Sequence, residues 1–342
     1  MKLDGLPRLL LARYPTPLED APRLAEALGV ARLLVKRDDL TDLALGGNKV
    51  RKLEYLLGEA LAQRADTIIT TASAQSNFLR LTAAACRRMG LRPILVVRGR
   101  SDAPVRGNLL LMRLFGADVH YVDTDDPYAA STVALMHGLA DEVRARGGRP
   151  YLIHLGTFSG GRAALGYVQA AFELHEQLAD RQTRCDHVVL ADGSGTMHAG
   201  LLLGLRLAGA GSHVMGVSVN TPAIELRARI AGHMQAAADL VGVPSPVSDV
   251  EIDVTDAYVG PGYGIPTPES LEAVRLAAAR EGLLFDPVYT GKAWAAASDA
   301  VRTGRIRREA VVVFLHSGGA PNLFLHADAL AGVAAGHGAV TR

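Results

Sequence analysis

The chain has 342 residues, with 36 basic against 35 acidic side chains, 49% apolar and 21% charged residues. That balance excludes a disordered chain and a dedicated nucleic-acid binder. No apolar run approaches the ~18 residues of a membrane span, and the N-terminal stretch lacks a signal-peptide h-region and cleavage site. The two cysteines, Cys86 and Cys185, fit no metal spacing and no disulfide framework, so both are expected to be structural and the protein cytoplasmic. Short β-branched runs predict strands at 33–36, 67–71, 93–97, 119–122, 151–154, 188–191, 214–219 and 311–315. Helical periodicity lies between most of them, as at 52–64, 76–89, 162–178 and 269–281. This alternation predicts an α/β fold with parallel sheets covered on both faces. In such folds ligands sit beyond the carboxyl ends of the strands. Glycine-rich breaks at 45–47 and 158–161 are compatible with two lobes, one made of residues 1–47 plus 160–342 and an inserted one of residues 48–159.

Five segments carry chemistry. In LALGGNKVRKLEYLL (43–57), Lys49 and Lys52 fall on one face at a helix start. Only five lysines occur (Lys2, Lys36, Lys49, Lys52 and Lys292), and the helix dipole opposes cations at that end. A purpose is implied: an amine with a lowered pKa, or one paired with a bound anion. A solvated basic turn is the alternative. In ITTASAQSNFLRLTAAA (69–85), Ser76 and Asn77 cap a helix, and its free N–H groups could equally hold a carboxylate. In HVVLADGSGTMHAGLLLGL (187–205), strand, glycine loop and helix succeed one another, with the helix expected from near His198. Gly193, Ser194, Gly195 and Thr196 can form a phosphate cradle there, or a plain strand–helix turn. The pattern is neither a dinucleotide fingerprint nor a Walker A loop. GPGYGIPTPE (260–269) and GLLFDPVYTGKAWAA (282–296) present Tyr263 and Tyr289 on loops, with Lys292 expected to face solvent. VVVFLHSGGAPNL (311–323) runs a strand into Ser317, and His316 reads as a satisfied core histidine rather than a base.

Taken together, KRDDLTDLALGGNKVRKLEYLL, AQSN, GSGTMHAGL, GYGIPTPES, EGLLFDPVYTGKA and VVFLHSGGAP resemble, in order and spacing, the signature segments of the D-cysteine desulfhydrase and 1-aminocyclopropane-1-carboxylate (ACC) deaminase family. The resemblance runs from about residue 14 to about residue 330. It implies fold type II, with two α/β lobes and pyridoxal 5'-phosphate in the cleft between them. It also implies a small amino-acid substrate and homodimers. Lys49 would form the Schiff base and move the Cα proton, and Lys52 would meet the phosphate together with Gly193, Ser194, Gly195, Thr196 and Met197. Asn77 would bond the ring hydroxyl, and Ser317 would contact the pyridine nitrogen. Ser76 would bind the substrate carboxylate or act on the face opposite Lys49. Asn77, Phe78, Tyr263, Tyr289 and Thr290 would complete the substrate side, with Tyr289 catalytic.

The departures concern substrate. Thr290 stands where ACC deaminases carry Glu, which disfavours ring opening, and Phe78 replaces a polar residue. Met197 and Ser317 replace common threonines. The expected activity is a D-cysteine desulfhydrase-like lyase, releasing a keto acid and ammonia by β-elimination. The alternatives are a racemase or epimerase using Lys49 and Ser76 as two bases on a larger substrate, an ACC deaminase, and a non-catalytic cofactor carrier.

Overall fold

The computed structural model describes residues 3, 5–102, 104–126, 128–156, 159–245 and 247–335; Lys2 and Phe158 lie outside them. The first half runs β1 (Leu18–Asp20), α1 (Pro22–Leu28), β2 (Arg32–Arg37), α2 (Lys49–Ala62), β3 (Thr67–Ser73), α3 (Asn77–Arg88), β4 (Arg92–Arg98), α4 (Gly107–Leu114), β5 (Asp118–Val122), α5 (Ala130–Ala145) and β6 (Pro150–Ile153). It continues with α6 (Gly160–Asp180), β7 (His187–Asp192), α7 (Thr196–Leu207), β8 (His213–Ser218), α8 (Ala223–Val241), β9 (Asp253–Thr255), α9 (Pro268–Glu281), α10 (Thr290–Arg302), β10 (Val311–His316), α11 (Pro321–Leu325) and α12 (Ala327–Ala335).

The strands form two sheets, ordered β1-β2-β10-β7-β8-β9 and β5-β4-β3-β6. Every neighbouring pair is parallel except β1 on β2. All eight expected strands are present. The two that sequence reading missed, β1 and β9, are three-residue edge strands, too short to show a period of two. The larger sheet is covered on both faces. Leu34, Val188, Leu190, Val214 and Val313 face α6, α7 and α8, whereas Val35, Val189, Met215, Val312 and Phe314 face α1, α9 and α10. Both positions of the pleat are therefore apolar, which explains the near-continuous hydrophobic runs. In the smaller sheet, Ile69, Ile94 and Val96 pack under α5, while Leu95 and Val97 pack against α3 and α4. Cys86 and Cys185 are buried free thiols. Among the described residues no helix is long and apolar enough to cross a membrane.

Helix α2 joins the two halves. Its apolar face (Leu53, Leu56, Leu57, Ala60) packs with Ile68 of β3, Leu81 of α3 and Ile153 of β6. Its other face carries Arg51, which is 1% exposed. Arg51 donates to Asp38 Oδ1 and Oδ2 at 2.9 Å and to Glu173 Oε1 and Oε2 at 2.9 Å. Lys36 also binds Glu173, and Tyr167 donates to Asp38 Oδ2 at 2.5 Å. Burial pushes the Asp38 and Glu173 carboxyls up, but Arg51 and Lys36 outweigh it and hold both below their ordinary values. Two depressed carboxylates stabilise the fold above their unfolded pKa values, and that stability is lost as pH falls through the folded ones. Glu173→Ala leaves Lys36 and Arg51 buried without this partner, so it should cost about 3–5 kcal/mol. Denaturant unfolding from pH 7 down to pH 3 checks both points: the wild type should lose stability below about pH 4.3 more steeply than the variant.

Candidate active site

The site is built where strands end. A cavity of about 630 Å³ is lined from the carboxyl ends of β3, β4, β7 and β10 and from the start of α2. Its floor begins in the loop before α2. Ala44, Leu45, Gly46 and Gly47 all have positive φ, and a Cβ on Gly46 would lie 2.0 Å from the Asp39 carbonyl oxygen. Only glycine fits that approach. Arg80 of α3 clamps the loop by donating to the carbonyls of Ala44 and of Gly46. The helix therefore starts at Lys49, three residues earlier than periodicity indicated.

Lys49 points into the cavity. Its Nζ donates to Asn48 Oδ1 at 2.9 Å and lies 5.9 Å from the Tyr289 ring centroid. Burial lowers its pKa to about 8, against Asp192 and Asp286, which favour the charged form. Lys52 is 2% exposed, and its Nζ donates to Thr196 Oγ1 at 2.5 Å. Burial and the neighbouring Lys49 push its pKa well down, with Asp192 opposing. Two amines at the positive end of one helix cannot both stay charged at ordinary pKa without an anion between them and solvent.

The glycine loop after β7 faces these amines. Helix α7 begins at Thr196, two residues before the expected His198, so the loop is shorter and its first N–H groups lie nearer the glycines. Gly195 has φ +82°, and a Cβ there would sit 2.9 Å from Ile230. Asp192 accepts from Gly195 N at 3.0 Å and pairs with His198 Nδ1 at 3.2 Å, which ties the loop to its helix. From α8, His233 Nε2 lies 3.1 Å from the Ser194 carbonyl oxygen. A carbonyl only accepts, so Nε2 carries the proton. Burial pushes the His233 pKa down to about 4, keeping the ring neutral. A Cβ on Gly160 would lie 2.0 Å from this imidazole, so glycine makes room for it.

On the opposite wall, Asn77 Oδ1 accepts from Asn108 Nδ2 at 3.0 Å, which leaves its amide nitrogen for the cavity. Phe78 forms part of the wall. Tyr289 lies at the start of α10, and its hydroxyl is 2.5 Å from that of Tyr263. Burial raises the Tyr289 phenol well above its ordinary pKa, so it stays protonated. Buried Asp286 fixes this corner by accepting from the backbone N–H of Val288, Tyr289 and Thr290 and from Asn322 Nδ2. Ser317 and Gly318 line the far edge, and His316 is buried with Nδ1 accepting from Gly318 N at 3.3 Å.

Lys49, Lys52, Asn77, Phe78, Gly193, Ser194, Met197, Tyr263, Tyr289 and Ser317 thus border one cavity. Ser76, Gly195, Thr196 and Thr290 stand behind its wall. Ser76 Oγ accepts from Phe78 N at 3.1 Å and Leu79 N at 3.3 Å as a helix cap. Thr290 Oγ1 closes a ring with Asp286 Oδ1 at 2.9 Å. The solvent-facing expectation for Lys292 is wrong: it is fully buried, with Nζ donating to Val259 O at 2.7 Å to pin the tyrosine-bearing loop. Sequence reasoning passed over Asp192, Asp286 and His233. The first directly precedes Gly193 and the second opens the DPVY run, so both could have been found. His233, thirty-nine residues beyond Ser194, leaves no local signal.

A family model described as "Pyridoxal-phosphate dependent enzyme" matches residues 9–318. The chain is 39% identical over 330 residues to a D-cysteine desulfhydrase of Salmonella choleraesuis (strain SC-B67), covering 95% of this chain and 97% of that protein. The crystal structure of an ACC deaminase homologue superposes with a TM-score of 0.88 at 34% identity, over 97% of both chains. The apo structure of Escherichia coli diaminopropionate ammonia lyase, at 18% identity and a TM-score of 0.66 over 97% of this chain and 89% of that one, shares the fold.

The residues fit pyridoxal phosphate. Lys49 offers an amine whose pKa of about 8 leaves far more of the neutral form near physiological pH than an ordinary lysine has, and buried Lys52 with the start of α7 offers a cradle for a dianion. His233→Leu removes the hydrogen bond that holds the Ser194 carbonyl. It should weaken cofactor binding by about 5- to 30-fold (roughly 1–2 kcal/mol for a buried hydrogen bond). Titrating apoprotein with pyridoxal phosphate, followed by visible absorbance, measures this, and unchanged affinity would show that the loop holds its shape without the imidazole.

Proposed function

We propose the reaction of this chain from its membership: it belongs to the pyridoxal-phosphate-dependent enzymes, within the D-cysteine desulfhydrase and ACC deaminase family. It is a pyridoxal-phosphate-dependent lyase of fold type II. Our reading of its substrate is D-cysteine or a β-substituted D-amino acid, cleaved between Cβ and the heteroatom. The observation that carries it is the Lys49 amine, with its pKa lowered by burial to about 8, facing the protonated Tyr289, whose hydroxyl bonds that of Tyr263.

The bound cofactor supplies an electron sink that makes the Cα–H bond acidic. Every other part falls to side chains. Lys52 and the Gly193–Met197 segment hold the phosphate, the latter largely through backbone N–H groups. Asn77 and Ser317 orient the ring. The Asn77 N–H at the start of α3 holds the substrate carboxylate, since Ser76 Oγ already takes those of Phe78 and Leu79. Lys49 takes the Cα proton. Tyr289, kept protonated by burial, gives a proton to the departing sulfur, and Tyr263 buffers it through the shared hydrogen bond. The electron pair of the Cβ–S bond leaves with sulfur, and water completes the release of pyruvate and ammonia. Phe78 excludes water from this wall.

The same proposal places the lobe boundaries at 1–47 plus 160–342 and 48–159, supported by the strands: β3 to β6 make up the smaller sheet and the others the larger one. It includes a homodimer in the cytoplasm. Exposed Leu110 and Leu114 on α4 and Phe324 on neighbouring α11 offer apolar surface for assembly.

Purified holoenzyme should release pyruvate and sulfide in equal amounts from D-cysteine, and Lys49→Ala should lower turnover by at least about 10²- to 10⁴-fold. Cα deuteration in D₂O with scrambled stereochemistry and no keto acid would instead establish a racemase. A second measurement needs no substrate. The neutral amine is the nucleophile, so the rate at which apoprotein captures pyridoxal phosphate should rise with pH through about 8, well below an ordinary lysine.

A further inference from the structure

Two buried side-chain polar atoms without a hydrogen-bond partner belong, among the described residues, to residues that line the cavity: Thr71 Oγ1 and Arg98 Nε. The strand register sets Ser73 opposite Arg98 and Thr71 opposite Val96. Thr71 and Arg98 are therefore diagonal neighbours on one face of the smaller sheet. Farther back that face is apolar, with Ile69, Ile94 and Val96 under α5. It turns polar where it meets the cavity. Native structures leave few buried donors unmet without a reason in a ligand or a water.

We infer that Arg98 and Thr71 form a subsite for a carboxylate carried on the substrate's side chain, beyond the bond that is cleaved. Arg98 Nη1 donates to the Asp125 main-chain carbonyl, which fixes the guanidinium in place. Its Nε edge remains, and paired N–H groups of a guanidinium match the two oxygens of a carboxylate. The Thr71 hydroxyl can donate to the same group. Arg229, stacked on the Tyr128 ring at 5.4 Å, adds a second cation to the mouth. Asp125, Asp126 and Glu225 also line the mouth; Asp125 and Asp126 act on the Arg98 guanidinium, but all three are exposed, where solvent weakens their pull. The position is distal. Arg98 neighbours Tyr263, which bonds Tyr289, whose ring lies 5.9 Å from Lys49 Nζ. The cofactor and the α-amino acid head already have partners in Lys49, Lys52, Asn77, the glycine loop and Ser317.

This inference rests on the lyase reading and specifies its substrate class: a D-cysteine thioether with an acidic substituent on sulfur. For S-carboxymethyl-D-cysteine the balance is simple. The Cα–H and Cβ–S bonds break, sulfur leaves with the electron pair and gains a proton, and one water yields pyruvate, ammonia and thioglycolate.

The test uses holoenzyme and two probes, S-carboxymethyl-D-cysteine and its neutral isostere S-carbamoylmethyl-D-cysteine. Binding is read as the change in cofactor absorbance, so it is independent of turnover. Wild type should bind the carboxylate at least about tenfold more tightly, as expected for a charge-assisted pair. Arg98→Gln should bring the ratio near one, Thr71→Val should reduce it, and Arg98→Lys should restore part of it. A wild-type ratio near one, or a ratio that survives in Arg98→Gln, overturns the subsite. So does loss of cofactor from Arg98→Gln on dialysis, because the guanidinium would then be holding the cofactor. Keto-acid release from D-cysteine is assayed alongside. Its absence would sink the lyase reading, while the binding ratio still decides Arg98.

Discussion

Helix α2 starts with an electrostatic mismatch. Half-buried Lys49 and buried Lys52 lie at its positive end, where both the dipole and desolvation oppose an ammonium. A fold can hold such a pair only if the helix is anchored by other means and the amines have work that compensates. Both conditions are met. Arg51, between the two lysines in sequence, turns to the opposite side and enters a buried network with Asp38 and Glu173. Arg80 clamps the loop that leads into the helix. Breaking either anchor releases the helix that carries the chemistry, so stability and activity share one element.

The mismatch also explains how roles divide between two similar lysines. Lys49 has Asp192 and Asp286 nearby, which partly offset burial and leave its amine poised near neutrality. Lys52 has Lys49 as a neighbour and a hydroxyl as its hydrogen-bond partner, so its demand for an anion is greater. In the proposed function the first serves as nucleophile and base and the second as the phosphate partner. The glycine loop supplies the matching half, and neutral His233 lets it approach the amines without adding another cation.

The opposite wall is built on positioning rather than charge. Asp286 spends its lone pairs on the backbone around Tyr289 and on Thr290 and Asn322, so the phenol is held by a fixed turn. Buried Lys292 does the same for the loop bearing Tyr263. This gives Thr290 a structural meaning. Its hydroxyl closes a turn with Asp286 behind the wall.

Much of this is legible in the sequence. Apolar strands separated by periodic helices determine a parallel α/β fold, because both faces of such sheets are buried. The glycine loop of the GSGT segment is marked by its own turn chemistry, whereas the family resemblance is what singles out Lys49 in GGNK and Tyr289 in DPVY. What tertiary structure alone decided is which side chains face the cavity. Ser76, Thr196 and Thr290 have reactive side-chain groups, yet their hydroxyls are taken by a cap, a lysine and a carboxylate. Lys292 looked solvated, yet it is buried against Val259. Arg98 ends β4 and Thr71 lies two residues before the end of β3, and they become notable only because parallel pairing sets them diagonally on one face where it meets the cavity. His233 reaches the loop from another helix. Sequence spacing encodes a residue's own turn or period, whereas convergence on one cavity depends on packing between distant segments.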